Sequence, residues 1–121
     1  MIRKFPQYKG KIMLNLGCGG QKLDGYIGID KRDVGQDMIW DITDGLPFPD
    51  NSVDEVYSCH FVEHLTDEQS IELFFEIYRV LKVGALTHHR CPHQIPKLKN
   101  FLVVENKQKG SELFFTLKKL K

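Results

Sequence analysis

Leu14-Asn15-Leu16-Gly17-Cys18-Gly19-Gly20, with Ile29-Asp30 close behind, is the stretch on which the fold turns. An apolar run passes directly into a glycine turn, and a second apolar run ends on a carboxylate. Glycine reaches positive φ and leaves no Cβ in the way of an approaching ligand. A carboxylate at the tip of the neighbouring strand can accept hydrogen bonds from both hydroxyls of a ribose, as in nucleoside-binding α/β sheets.

Working outward, residues 12–16 and 26–30 are predicted as buried strands, with a third short strand over 38–42. Gly45, Pro47, Pro49 and Asp50-Asn51 mark 43–52 as a turn-rich loop. Alternation over 53–59 predicts a fourth strand. A helix is predicted over 67–82. Thr66 is its N-cap, Gln69 the capping-box partner, and Asp67 and Glu68 sit at its positive end. Ile71, Leu73, Phe74, Ile77, Tyr78, Val80 and Leu81 share one broad face, and Glu72, Glu76 and Arg79 fall on the other. Gly84 suits the helix stop. Residues 85–91 are predicted as a fifth strand, and 101–105 with 113–117 as a closing hairpin joined through Lys107-Gln108-Lys109-Gly110. The links after the first two strands are too short for the helical crossovers that parallel strands normally use. Either these connections are bare loops, or the sheet is not wound as the motifs suggest.

At 121 residues the chain is expected to form a single domain burying roughly 60–70% of its unfolded surface. No apolar run approaches the ~20 residues of a membrane span, and Met1 to Pro6 contains no apolar signal core. Three cysteines without a CxxC pair favour a reducing, cytoplasmic setting. The net charge of +1 hides an acidic middle between two basic ends, which favours a cationic small molecule over a phosphate-rich one. No aromatic-plus-basic stripe marks nucleic acid.

Four blocks in order resemble the class I S-adenosylmethionine-dependent methyltransferases, in particular the small methyltransferase type 11 group. They are Leu14 to Gly20; Gly28-Ile29-Asp30; Asp41 to Phe48 with Asn51-Ser52-Val53-Asp54; and Glu63-His64-Leu65 leading to Tyr78-Arg79-Val80-Leu81-Lys82. The resemblance spans residues 12–93 and fades over 94–121. It implies an α/β, Rossmann-like sheet of order 3-2-1-4-5, here reduced in helices and followed by the C-terminal hairpin read above. It also implies S-adenosylmethionine as cofactor. Gly17, Cys18 and Gly19 would wrap the methionine part, Asp30 would take the ribose hydroxyls, and Asp41 with Ile42 would sit at the adenine edge. Ser58, Cys59 and His60 would lie near the sulfonium methyl, with His60 the first candidate base and His64 the second. The implied reaction is methyl transfer to a small-molecule or saccharide-type acceptor. The alternative is a truncated, non-catalytic S-adenosylmethionine-binding remnant. A homodimer would let so short a chain complete its site.

Two other chemistries fit poorly. His60-Phe61-Val62-Glu63-His64 spells HxxEH, but that zinc motif needs both histidines on one helix. A nicotinamide site needs GxGxxG opening a helix, and Lys22 stands where the last glycine belongs. Cys18, Cys59 and Cys91, with His60 and His93, would form a thiol cluster if the strand order brought them together.

Overall fold

The computed structural model describes residues 10–92 and 100–121. Its strands are β1 (Met13–Leu16), β2 (Ile27–Asp30), β3 (Met38–Ile39), β4 (Val53–Cys59), β5 (Leu81–Cys91), β6 (Phe101–Lys109) and β7 (Glu112–Lys119). A single α-helix among the described residues, α1 (Asp67–Val80), connects β4 to β5. The seven strands form one sheet in the order β3-β2-β1-β4-β5-β7-β6. The first five are parallel, and β7 runs antiparallel between β5 and β6. This is the expected 3-2-1-4-5 order, extended by the hairpin.

Burial explains which face carries the helix. Leu14, Leu16, Ile29, Val53, Val56, Phe115 and Leu117 pack with Leu73, Phe74, Ile77 and Val80 of α1 in one core. At ~1.5–3 kcal/mol per fully buried large side chain, this seam fixes the helix to the sheet. Its start is as expected. Thr66 accepts from the Gln69 amide at 3.1 Å, and Gln69 accepts from the Thr66 amide at 3.0 Å, closing the capping box.

Three local expectations are corrected. The third strand ends at Ile39, because Asp41 turns its carboxylate onto the Thr43 amide (3.0 Å) and hydroxyl (2.6 Å). That bends the chain into a 3-10 turn over Ile42–Asp44. The helix ends at Val80 and passes into β5 without a glycine stop. Gly84, at φ +85°, lies in an outpouching of β5 where Val53 pairs with Leu81 but Glu55 already pairs with Leu86. The hairpin strands are longer than expected, with Lys107, Gln108 and Lys109 paired in β6 and the turn at Gly110-Ser111.

Glu76 and Arg79 are also more than a solvated face. The Arg79 guanidinium donates to the carbonyls of Leu46 (2.8 Å) and Phe48 (2.9 Å), to Asp50 (2.9 Å) and to Glu76. Glu76 in turn accepts from the Leu46 amide at 2.8 Å. The pair ties the 46–50 loop to α1. The connections β1 to β2 and β2 to β3 contain no helix. They are ordered by side chains: Asp37 accepts from the Gly28 amide at 2.9 Å, and Gln36 donates to the Asp30 carbonyl at 2.9 Å. No helix among the described residues is long and apolar enough to cross a membrane.

Candidate functional site

The loops leaving β1, β2, β3 and β4 converge at the carboxyl end of the sheet on a cavity of about 390 Å³. Gly17, Asp30, Trp40, Asp41, Ile42 and His60 line it, with Lys31, Arg32, Thr43, Phe61, His64 and Leu65 around them. Small-molecule sites usually measure ~300–1,000 Å³. Open parallel sheets place their ligands at this end.

Asp30 is the best-built acid here, only 7% exposed. Its Oδ2 accepts from the Gly19 amide at 3.0 Å, and its Oδ1 from the Arg32 amide at 3.0 Å. Burial alone would raise its pKa. The backbone bonds from Arg32 and Gly19, with the Arg32 side chain, outweigh burial and hold it below the usual carboxylate range. The carboxylate is therefore charged at neutral pH. Each of its oxygens keeps lone-pair capacity toward the cavity.

The glycine turn contributes differently from the expectation. The amides of Gly17 and Cys18 donate to the Ile29 carbonyl at 2.8 and 3.2 Å, and the Gly19 amide goes to Asp30. All three N–H groups are spent inside the protein, so the turn can offer a ligand close approach rather than amide donors. Gly17 is the member that lines the cavity. It sits at φ +61°, and a Cβ there would lie 2.1 Å from the Phe61 ring. Cys18 is buried, with its Sγ 3.0 Å from where a Cβ on Gly28 would stand.

Asp41 caps the 3-10 turn, and its hydrogen bonds from the Thr43 hydroxyl and amide lower its pKa. Ile42 is buried beside it. Trp40 was not foreseen. Its indole Nε1 donates to the Gly45 carbonyl at 2.7 Å, which fixes a flat apolar surface in the cavity wall. The Trp40-Asp41 adjacency was the available signal.

His60 closes β4 in the left-handed region, at φ +54°. Its Nδ1 lies 3.1 Å from Glu63 Oε1 and its Nε2 2.8 Å from Glu112 Oε1. Arg90 donates to Glu112 from Nε at 2.7 Å and also from a terminal nitrogen. Those Arg90 bonds are the main reason the Glu112 carboxyl titrates low, with His60 adding to the effect. His64 lines the cavity, and its amide donates to the Phe61 carbonyl at 3.0 Å.

Other expected members are elsewhere. Ser58 is fully buried and bonded at 2.5 Å to His89 on the helix side. Cys59 does not line the cavity. The three thiols do not converge. Cys91 belongs to the core under α1, and Cys59, paired with Arg90 in the sheet register, is only half-buried. Among the described residues no group of three metal-ligating side chains forms, and His93 lies outside them.

The family model for a methyltransferase domain matches residues 29–87, the segment that supplies all of this cavity except Gly17. Over that segment the chain is similar to methyltransferase domains. The fold of this chain recurs in solved structures of low sequence identity. One is a putative methyltransferase of Haloferax volcanii, solved in complex with the Trm112 methyltransferase activator. It is 15% identical with TM-score 0.71, over 98% of this chain and 86% of that one. Another is the N-methyltransferase NodS of Bradyrhizobium japonicum WM9 with S-adenosyl-L-homocysteine. It is 11% identical with TM-score 0.71, over 92% and 79%. A third is an S-adenosylmethionine-dependent methyltransferase of Mesorhizobium loti, 12% identical with TM-score 0.69, over 94% and 93%. No curated protein matches the sequence significantly.

Proposed function

We propose that residues 1–121 act as one methyltransferase domain that binds S-adenosylmethionine in the 390 Å³ cavity. The acceptor of the methyl group is a small molecule or saccharide-type metabolite. The observation that carries the reading is the buried, charged Asp30 standing in the same cavity as Gly17, Trp40 and the Asp41-Ile42 corner.

The donor set suits each part of the cofactor. Asp30 accepts from the ribose hydroxyls, Trp40 and Ile42 pack on the flat base, and Asp41 takes its polar edge. Gly17 leaves room for the methionine part, with Cys18 and Gly19 shaping the turn behind it. His60, following β4, stands toward the acceptor side. When bound, the cofactor supplies a methyl group already activated on a sulfonium, so the protein's main task is alignment. His60 serves as proton acceptor only for an acceptor that must lose a proton. Glu63 fixes its Nδ1, and its Nε2 becomes available once the Glu112 contact opens. A cytoplasmic setting suits three free cysteines.

The test is calorimetric titration with S-adenosylhomocysteine, wild type against Asp30→Asn. Charge-assisted hydrogen bonds of ~1.5–3 kcal/mol predict roughly a ten- to hundredfold weaker variant. Equal affinity in the two proteins, or no binding in wild type, refutes the site. Turnover against amine, hydroxyl and carboxyl acceptors then identifies the reaction.

A further inference from the structure

Carboxylate oxygens only accept hydrogen bonds, yet a carboxylate faces each ring nitrogen of His60. Both bonds form together only when both nitrogens carry protons. The closed arrangement is thus an imidazolium held between Glu63 on its own loop and Glu112 on β7, with Arg90 of β5 aiming Glu112. The other charged groups around it are His64 on the same loop and, across the cavity, Asp30, Lys31, Arg32 and Asp41. None of these is bonded to the His60 ring among the described contacts.

This bridge has a mechanical side. The loop it anchors carries Phe61, whose ring lies against Gly17 so closely that no Cβ would fit between them. Gly17 is the one residue of the glycine turn that faces the cavity. Phe61 therefore covers the approach to the turn, and the His60–Glu112 contact joins that cover to the hairpin on the far side of β5.

We propose that Glu112, aimed by Arg90, is a positioning residue that latches protonated His60 and thereby holds the Phe61 loop over the cavity. Loss of the imidazolium proton removes one of the two donors. The latch opens, the loop moves off Gly17, and His60 Nε2 gains a free lone pair. Access to the cavity and basicity at its rim then arrive together. The inference rests on the reading of this cavity as the cofactor site.

Amide hydrogen exchange of residues 60–65, at about pH 5.5 and about pH 8.5 and corrected for intrinsic rates, tests the latch directly. In wild type, protection should fall by roughly tenfold at the higher pH, the effect of losing one charge-assisted hydrogen bond. Glu112→Gln, which keeps an acceptor but not the charge, should already be open at the lower pH and show no such fall. Glu112→Asp should restore part of it. The association rate of S-adenosylhomocysteine should rise with pH in wild type and stay flat in Glu112→Gln. Wild-type exchange that does not change with pH overturns the latch without relying on any variant. So does a Glu112→Gln profile identical to wild type. If S-adenosylhomocysteine binds at neither pH, the cofactor reading fails, and the exchange data still decide the latch. If it binds while exchange and rate stay flat, the latch fails and the reading stands.

Discussion

Lowering the pH from about 7.5 to about 4.5 should destabilise the fold through one side chain, His89. It is 2% exposed on β5, and its two ring nitrogens lie 2.5 Å from the hydroxyls of Ser58 and Thr87. Phe115 stacks on one side at 5.3 Å between centroids, and Phe74 meets it edge-on at 4.9 Å. Burial in this slot, aided by neighbouring His88, pushes the imidazole down from 6.5 to about 3. The unfolded chain therefore binds a proton below pH 6.5 that the folded chain refuses. Stability is fully present above 6.5 and drains away as the pH falls toward 3. At about pH 4.5 the unfolded histidine has gained two pH units of protonation, or about 3 kcal/mol at 1.36 kcal/mol per unit. That is a large part of a typical total of ~5–15 kcal/mol. Urea unfolding at both pH values, for wild type and His89→Gln, isolates the effect. Carboxylates titrate alike in the two proteins and cancel. The glutamine variant should start less stable at neutral pH but lose about 3 kcal/mol less on acidification. Equal losses would refute the argument.

Gly17→Ala places a methyl 2.1 Å from Phe61 at φ +61°. The left-handed backbone alone costs ~1–2 kcal/mol, so a drop of several degrees in Tm is expected, with weakened S-adenosylhomocysteine binding; an unchanged Tm would count against the packing described. Arg79→Met strips the 46–50 loop of its donors from α1 and should cost about 2 kcal/mol in urea unfolding, with Glu76→Gln costing less. Trp40→Ala should weaken S-adenosylhomocysteine by roughly tenfold in calorimetry, through lost stacking worth about 1 kcal/mol or more. No change there would remove Trp40 from the site.

The parts of the fold legible in the sequence are those set by local chemistry. Alternation and apolar runs gave β1, β2 and β4, and the Thr66–Gln69 box placed the start of α1 within a residue. The boundaries that slipped depend on a competing partner. Asp41 has the composition of a strand end, but its carboxylate bends the chain, and the strand stops at Ile39, three residues early. Gly84 looks like a helix stop, yet pairing of Leu81 with Val53 takes the chain into the sheet before the glycine is reached. Among the cavity residues, Asp30 was legible because it ends a strand directly beside a glycine turn. Glu112 was not. It lies 52 residues from His60 in a hairpin outside the resemblance, and only the antiparallel register of β7 on β5 brings it over. The thiol cluster failed for a related reason: strand-end residues share an edge of the sheet but alternate between its faces.

The helix-free links among β1, β2 and β3 bear on how the chain first finds its shape. β1 pairs with β2 and with β4 in the finished sheet, so β1 is fully paired only after Val53–Cys59 has been made and has docked. With no helices in the first two connections, their local ties are side-chain bonds such as those of Gln36 and Asp37. The β6–β7 ribbon is the reverse case, two adjoining strands around a tight turn whose pairing needs no distant partner. Local pairings form sooner than distant parallel ones. The ribbon is then among the first segments to settle, and the cavity end of the sheet is among the last.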